Sequence, residues 1–177
     1  MPLALATLEE QFRALPAPPR ERGVVALVVI RPEKSGQRSL PSRARLTVAG
    51  GVEGDRWVKK VDANVESQVT LIRADVARLV AAGQPVELCG DNLHVDLDLS
   101  EENVPAGTRL EIGTALCEVT AKPHTGCGKF LWRFGADALA FTKAPGHAGK
   151  RLRGMHVRVL REGEVSPGDP VTVIRSG

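Results

Sequence analysis

The chain has no tyrosine, and its 177 residues include only four phenylalanines and two tryptophans. Proteins that bind single-stranded nucleic acid stack bases on aromatic side chains, so a platform of that kind is poorly supplied here. The net charge of +3 and the isoelectric point near 9.0 permit an anionic ligand without requiring nucleic acid. We therefore expect no nucleic-acid partner.

Long apolar runs and a secretion signal are also missing. The longest apolar run, from Val24 to Ile30, is far too short to span a bilayer. The N-terminal residues lack the charged stretch followed by an apolar stretch that marks a signal peptide. We expect a cytoplasmic protein that has no membrane partner.

Cysteine occurs three times, at positions 89, 117 and 127, and no two cysteines form a CxxC pair. The odd number and the wide spacing argue against a disulfide framework and against a structural zinc site. Free thiols in a reducing compartment fit this pattern best.

Short apolar segments separated by glycine and proline turns predict a mainly β fold. A β-barrel or a sandwich with a few short helices fits their number and spacing. Composition is typical of a globular domain, and we expect one domain over 1–177, with a helical extension at 1–20 and a core at 24–174. The predicted strands are 23–30, 44–48, 68–72, 93–99, 109–112, 115–120, 155–159 and 171–174.

Three segments have the spacing of helices. Apolar residues recur every three to four positions between Leu5 and Leu15, and three prolines then end the pattern. This first helix could pack as a lid on the domain or serve as a docking surface. The one clear internal helix is at 74–82, and residues 130–142 suggest one or two short helices broken by Gly135.

Alternation in two of the strands places particular side chains on opposite faces. In 93–99 the leucines and Val95 share one face, so His94 is expected on a solvated face with Asp96 and Asp98. That face could bind a cation, although a solvated surface is the simpler interpretation. In 115–120 the same argument places Cys117 in the core, where a free cysteine behaves as a small hydrophobe.

The segment from Lys122 to Phe130 carries the strongest chemical signal. It holds Cys127 between two glycines, with His124 before it and Lys129 after it, and Pro123 favours a loop. Nearby positive charge lowers the pKa of a thiol and so favours the reactive thiolate. A buried small thiol at a glycine turn is the alternative, but the loop and its basic neighbours favour a reactive or metal-binding thiol.

A second glycine-rich stretch, residues 50–57, ends in Gly54, Asp55 and Arg56. Three glycines in five positions suggest a sharp turn or a close backbone approach to another group. Asp55 and Arg56 could form a local ion pair, or Arg56 could face an anionic ligand. The residue types leave these two interpretations equal.

The order of these motifs resembles the MOSC domain, named for the C-terminal domain of molybdenum cofactor sulfurases. The resemblance runs from about Val24 to Ile174, nearly the whole chain. Each piece is weak alone, and their shared order and spacing make the match fairly specific. The matching pieces are Gly54-Asp55-Arg56, Gln68 to Ile72, Gly90-Asp91-Asn92-Leu93, Gly107 to Gly113, Gly126 to Phe130, Arg153-Gly154 and Gly168-Asp169.

The resemblance implies a closed β-barrel with peripheral helices, and it matches Cys127 to the single key cysteine of the family. Family members are proposed to carry sulfur on that cysteine as a persulfide for metal–sulfur centres. Others bind the molybdenum cofactor through it and reduce N-hydroxylated compounds. The better-known form has proline directly before the cysteine, whereas this chain has Gly126.

These implications give two functional hypotheses. In the first, Cys127 ligates molybdenum in a molybdopterin-type cofactor or carries a persulfide, so the protein is a molybdenum-dependent oxidoreductase or a sulfur transferase. Its partners would be that cofactor, a sulfur donor or acceptor protein, or a redox partner. In the second, a non-catalytic module docks onto a metalloenzyme or holds an anionic ligand.

We expect one cavity at an end of the barrel, with Cys127 at its floor. Arg56, Lys129 and Arg153 are candidate partners for the phosphate of the cofactor, because arginine pairs with phosphate through charge-assisted hydrogen bonds. For Arg153, which flanks a strand, a solvated surface position is slightly favoured. Asp55 is expected to orient Arg56. The predicted lining residues are Gly54, Asp55, Arg56, His124, Lys129 and Arg153.

Overall fold

A computed structural model describes residues 1–34 and 36–175. Within this part of the chain, seven strands close a barrel, three strands form a small sheet beside it, and three α-helices lie at the periphery. In chain order the elements are α1 (Leu5–Ala14), β1 (Arg22–Val28), β2 (Ala44–Thr47), β3 (Gly51–Val52), β4 (Val69–Arg73), α2 (Ala74–Ala81), β5 (Leu93–Asp96), β6 (Arg109–Ile112), β7 (Ala115–Val119), α3 (Gly128–Lys143), β8 (Met155–Arg161), β9 (Gly163–Val165) and β10 (Pro170–Ile174).

The strands of the barrel follow the order β1-β10-β6-β7-β8-β4-β5 and return to β1. Neighbours are antiparallel except β4 and β5, which run parallel with Leu71 opposite Leu93. A parallel pair needs a crossover connection, and α2 supplies it. The small sheet has the order β3-β2-β9. The predicted mainly β fold, a closed barrel with short helices, is confirmed.

Two apolar clusters hold the fold together. Inward-facing aliphatic side chains fill the barrel, among them Val25, Leu71 and Leu110, which are fully buried. A second cluster lies outside the barrel, where Phe134 and Phe141 of α3 pack with α1 and α2. Truncating a buried phenylalanine to alanine costs about 3–5 kcal/mol, so this outer cluster fixes α3 firmly against the barrel.

The structure corrects the expectation for His94. This side chain is only 1% exposed, whereas Asp96 two residues later is exposed. The alternation of the strand is present, but α2 packs against β5 and covers the face where His94 lies. Alternation defines two faces of a strand without telling which of them another element covers.

The helices agree with their predicted positions, including the break in the last one. Gly135 has φ of 87° inside α3, a conformation that side-chain-bearing residues rarely adopt, and it divides the helix into two parts. The first part carries the Cys127 motif at its start. No helix in 1–34 or 36–175 is long and apolar enough to cross a membrane.

Candidate functional site

Cys127 lies directly before the first residue of α3 and is exposed. Its carbonyl oxygen accepts hydrogen bonds from the backbone N–H groups of Phe130 and Leu131, at 3.0 and 3.1 Å, which begins the helix. Phe130 is buried in the outer apolar cluster, so its side chain holds the first turn of α3 against the rest of the fold. The sequence thus places a thiol at the N-terminal end of a firmly packed helical turn.

This position favours the thiolate of Cys127. Partial burial opposes ionisation, but the backbone N–H groups of Phe130 and Lys129 and the positive charge of Arg153 outweigh it, so the pKa of Cys127 is lowered. Amide groups at the start of a helix stabilise negative charge. Lys129, proposed from the sequence as a cationic neighbour, acts on the sulfur here through its backbone amide.

The other two thiols have the opposite character. Cys117 lies inside the barrel and Cys89 lies under α2, and burial raises the pKa of each to about 12. The Sγ of Cys89 also faces the carbonyl oxygen of Ala77 at 3.8 Å. The expected core position of Cys117 is confirmed, and Cys127 is the one exposed cysteine of the three.

Cys127 opens into a cavity of about 190 Å³, which we call the basic cavity. No aspartate or glutamate occurs among the described residues that line it. Two histidines, His124 and His156, lie in its wall. Its cationic lining residues are Arg31, Arg38, Arg56, Lys60, Lys129, Arg133 and Arg153.

Two of these cations are neutralised by buried carboxylates behind the wall. Arg31 donates to both carboxylate oxygens of Asp55 at 2.9 Å, and its neighbour Asn92 shares the same network. Arg153 donates to Asp91 at 2.8 Å and to the carbonyl oxygen of Cys89 at 3.1 Å. Although burial opposes ionisation of Asp55 and Asp91, the adjacent arginines lower the pKa of both carboxyls.

Four other lining cations, Arg38, Arg56, Lys60 and Arg133, form no ion pair with any described residue. Burial and the charges of the neighbouring arginines lower the pKa of Arg38, and burial with Arg56 and Arg31 lowers that of Lys60. The Nε atoms of Arg38 and Arg56 are buried without a hydrogen-bond partner among the described residues. These groups repel one another, and a bound anion would relieve the repulsion.

His124 does not supply the positive charge that the sequence suggested. Its Nδ1 donates to the carbonyl oxygen of Arg153 at 2.8 Å, and its Nε2 lies 3.5 Å from Oδ1 of Asp91. Burial lowers the pKa of His124 to about 4, against the attraction of Asp91. The ring is therefore neutral near pH 7, and Arg153 provides the charge that favours the thiolate.

The structure brings together most of the predicted site residues. Arg56, His124, Lys129 and Arg153 line the basic cavity with Cys127. Arg153 is buried rather than solvated.

Two of the predicted residues, Gly54 and Asp55, do not line the basic cavity. Gly54 is exposed and does not line this cavity. Asp55 is buried behind the wall, where it binds Arg31 and the backbone N–H of Trp57, so the expectation that it orients Arg56 is wrong.

Sequence reasoning missed several lining cations. Arg31 and Arg38 come from the connection after β1, and only folding brings them to the cysteine. Arg133 did carry a signal, because it follows Lys129 by four residues and so shares its face of the helix. Lys60 and His156 gave no comparable pattern.

Gly126 has a clear steric reason. A Cβ atom at this position would lie 2.2 Å from Cδ1 of Leu139, a residue in the second part of α3. A side chain before the cysteine therefore requires Leu139 to move. Glycine rather than proline at position 126 therefore fits the close approach of Leu139 from the second part of α3.

Comparison with known proteins finds a matching family and several similar structures. A family model described as the MOSC domain matches residues 58–172. No curated protein matches the chain significantly.

Solved structures also resemble the chain. A hypothetical protein superposes with a TM-score of 0.61 at 24% identity, over 89% of this chain and 69% of its own. YuaD from Bacillus subtilis gives 0.60 at 15% identity, over 88% and 97% of the two chains. YiiM from Geobacillus stearothermophilus gives 0.58 at 20% identity, over 88% and 76%. At these identities the likeness shows the fold.

Proposed function

Because the chain belongs to the MOSC domain family, which is associated with the molybdenum cofactor and with sulfur chemistry, we propose that it carries sulfur as a persulfide on Cys127. The carried sulfur atom is destined for a metal–sulfur centre. The observation behind this proposal is an exposed thiol of lowered pKa that opens into a cavity lined by cations.

The surroundings of Cys127 suit each form that a sulfur carrier must adopt. The thiolate is the nucleophile that accepts a sulfur atom, and a lowered pKa increases its fraction at neutral pH. The persulfide that results is again an anion, so the amides of Phe130 and Lys129 and the charge of Arg153 stabilise it too. Because Cys127 is exposed, an acceptor protein can reach the terminal sulfur.

A second candidate function is ligation of molybdenum, and the donor chemistry supports it in part. A thiolate is a soft ligand, and the guanidinium groups of Arg56 and Arg133 suit the phosphate of a molybdopterin-type cofactor. When bound, the cofactor would supply the redox chemistry for reducing N-hydroxylated compounds. The cavity of about 190 Å³, however, is smaller than the ~300–1,000 Å³ that enclose a ligand of this size.

The volume of about 190 Å³ therefore supports the persulfide role more than the enclosure of a whole cofactor. The basic cavity accommodates a persulfide and a small anion, or one end of the larger cofactor. A further cavity of about 280 Å³ shares His124, Thr125 and Arg153 in its wall with the basic cavity. Full enclosure of the cofactor would require a change in the walls of the basic cavity.

The test is to express the full chain in a host that makes the molybdenum cofactor and to purify it without reductant. We expect a mass increase of one sulfur atom on the peptide that contains Cys127, reversed by dithiothreitol. Cys127→Ser should abolish it, whereas Cys89→Ala should not. Stoichiometric molybdenum lost in Cys127→Ser would instead establish the second candidate. An unmodified thiol without metal would support a non-catalytic binding module.

A further inference from the structure

The basic cavity has the features of a site for a sulfur-donating oxyanion. We propose that Cys127 accepts its sulfur directly from a small dianion of the thiosulfate class, which makes the protein a sulfurtransferase in its own right. This inference rests on the persulfide role proposed for Cys127. It identifies the donor, which that role leaves open.

The charge of the cavity selects a compact and multiply charged anion. Arg38, Arg56 and Arg133 line it without a carboxylate partner among the described residues, and none of the residues that the structure describes in the cavity wall is acidic. One negative charge would leave most of this positive charge uncompensated. A dianion compensates more of it, and the volume of about 190 Å³ suits a tetrahedral oxyanion rather than a drug-sized molecule.

Two of the arginines that line the cavity keep a guanidinium N–H group without a partner in the described part of the chain. The Nε atoms of Arg38 and Arg56 are buried and have no hydrogen-bond partner among the described residues. Guanidinium groups bind tetrahedral oxyanions through paired, charge-assisted hydrogen bonds.

The donor chemistry matches the state of the thiol. The thiolate of Cys127 attacks the outer sulfur of thiosulfate, a bond forms between the two sulfur atoms, and the sulfur–sulfur bond of thiosulfate breaks. Sulfite leaves with the electron pair of that bond. A thiolate and a dianion become a persulfide anion and a dianion, so charge is conserved and no oxidant or reductant is needed.

No proton moves in this step, and the cavity is built accordingly. The thiolate is favoured before the donor arrives, by the backbone amides and the Arg153 charge. A step without proton transfer needs no general acid. His124 agrees with this, because burial lowers its pKa to about 4 and the ring is neutral near pH 7. The arginines meet a leaving group that keeps both negative charges, which is the role that cationic groups fill at developing anions.

The experiment uses the reduced full chain with thiosulfate as donor and cyanide as acceptor. Formation of thiocyanate is followed by its coloured iron complex, and the sulfur atom on Cys127 by mass spectrometry of the protein before cyanide is added. We expect thiocyanate in proportion to protein and a single added sulfur. Cys127→Ser should lose both, while Cys117→Ala keeps both.

Charge variants then test the cavity. Arg56→Ala and Arg133→Ala should each lower kcat/KM for thiosulfate by about tenfold or more, because each removes a partner of the dianion. Lys59→Ala is the matched control, since Lys59 lies in the same turn as Arg56 but outside the lining of the basic cavity. Equal rates for the wild type and both arginine variants would overturn the proposed binding mode.

A second donor separates this inference from the function on which it rests. Inorganic polysulfide persulfidates exposed thiolates without needing an oxyanion site. If polysulfide adds sulfur to Cys127 but thiosulfate does not, the thiosulfate inference is wrong and the carrier function stands. If neither donor adds sulfur to Cys127, both proposals are wrong.

Discussion

Asp91 accepts a hydrogen bond from Nη1 of Arg153 at 2.8 Å, and both side chains are buried beside the basic cavity. The guanidinium of Arg153 also lies 4.6 Å from the centroid of the Phe130 ring, in the first turn of α3. One buried ion pair thus joins the segment before β5, the segment before β8 and the helix that begins at Cys127. The charge that favours the thiolate is held in place by a carboxylate that does not itself line the cavity.

Breaking this ion pair should be costly from either side. Asp91→Asn leaves the Arg153 guanidinium buried without a counter-charge, and we expect it to lower the free energy of unfolding by about 3–5 kcal/mol. Arg153→Met should have a similar cost, because it leaves the buried carboxylate of Asp91 without its ion-pair partner. The double variant should be more stable than the sum of the single effects predicts. Urea titrations of the four proteins measure this coupling, and strict additivity would contradict it.

The reactivity of Cys127 should report the charge of Arg153. Replacing Arg153 by Met removes one of the groups that lower the pKa of Cys127, so this pKa should rise and alkylation near pH 7 should slow. The measurement is the rate of reaction with iodoacetamide as a function of pH. Arg158→Met, a change on β8 away from the cavity lining, is the control. Faster labelling of Cys89 or Cys117 than of Cys127 would contradict the assignment of the reactive thiol.

The paired and the unpaired arginines should differ in their effects. Arg56→Ala should weaken binding of sulfate, used as a probe anion, and leave stability within about 0.5 kcal/mol of the wild type. Arg31→Ala should instead destabilise the fold by about 3–5 kcal/mol, because Asp55 is then buried without its partner. Calorimetric titration and thermal unfolding separate the two effects. Unchanged sulfate affinity in Arg56→Ala would remove Arg56 from the anion site.

Stability should fall as the pH is lowered from about 7 toward 4. The pKa of His124 is lowered to about 4 in the folded protein, so between its ordinary value of 6.5 and 4 the unfolded chain binds a proton that the folded chain does not. By linkage this costs on the order of 3 kcal/mol by pH 4. His124→Phe should flatten the profile. Burial also lowers the pKa of His94 and His156, so a residual slope in the same direction should persist.

The size of the side chain at position 126, directly before Cys127, should be limited by Leu139. Gly126→Ala places a Cβ atom 2.2 Å from the terminal Cδ1 of the half-buried Leu139, which must rotate away, and we expect a loss of about 0.5–1.5 kcal/mol in unfolding free energy. In a Leu139→Ala background the same change should be nearly neutral, because the clash is gone. Gly128→Ala is the control, since a Cβ atom there meets no atom within 4 Å. Equal losses at both glycines would contradict the steric explanation.

Much of the barrel could be predicted from sequence because its signals are local. Turn residues and alternating apolar positions placed the strand at Arg109–Ile112 at its observed bounds, and most others within two residues. His94 shows the limit, since the helix that covers it is determined by a crossover connection between two parallel strands. The pairing of strands is non-local, and one chain gives little information about it.

The residues of the site also divide into those that neighbouring sequence identifies and those that only the folded structure brings to the cavity. Cys127 could be identified from its own neighbours in sequence, whereas the partner of Asp55 could not, because Arg31 is distant along the chain and Arg56 is adjacent. A buried carboxylate binds the guanidinium that the fold brings to it. Arg38 and Lys60 were missed for the same reason, because their role depends on the cavity and on no pattern around them.

The position of β10 between β1 and β6 has a consequence for synthesis of the protein. Closure of the barrel requires residues 170–174 to reach β1 at residues 22–28, so the nascent chain cannot complete this core until β10 has left the ribosome. Until then β1 exposes an unpaired edge and its apolar residues, as slow-folding non-local topologies do. The Cys127 segment precedes β10 in the chain, so its thiol leaves the ribosome before the barrel beside it can close.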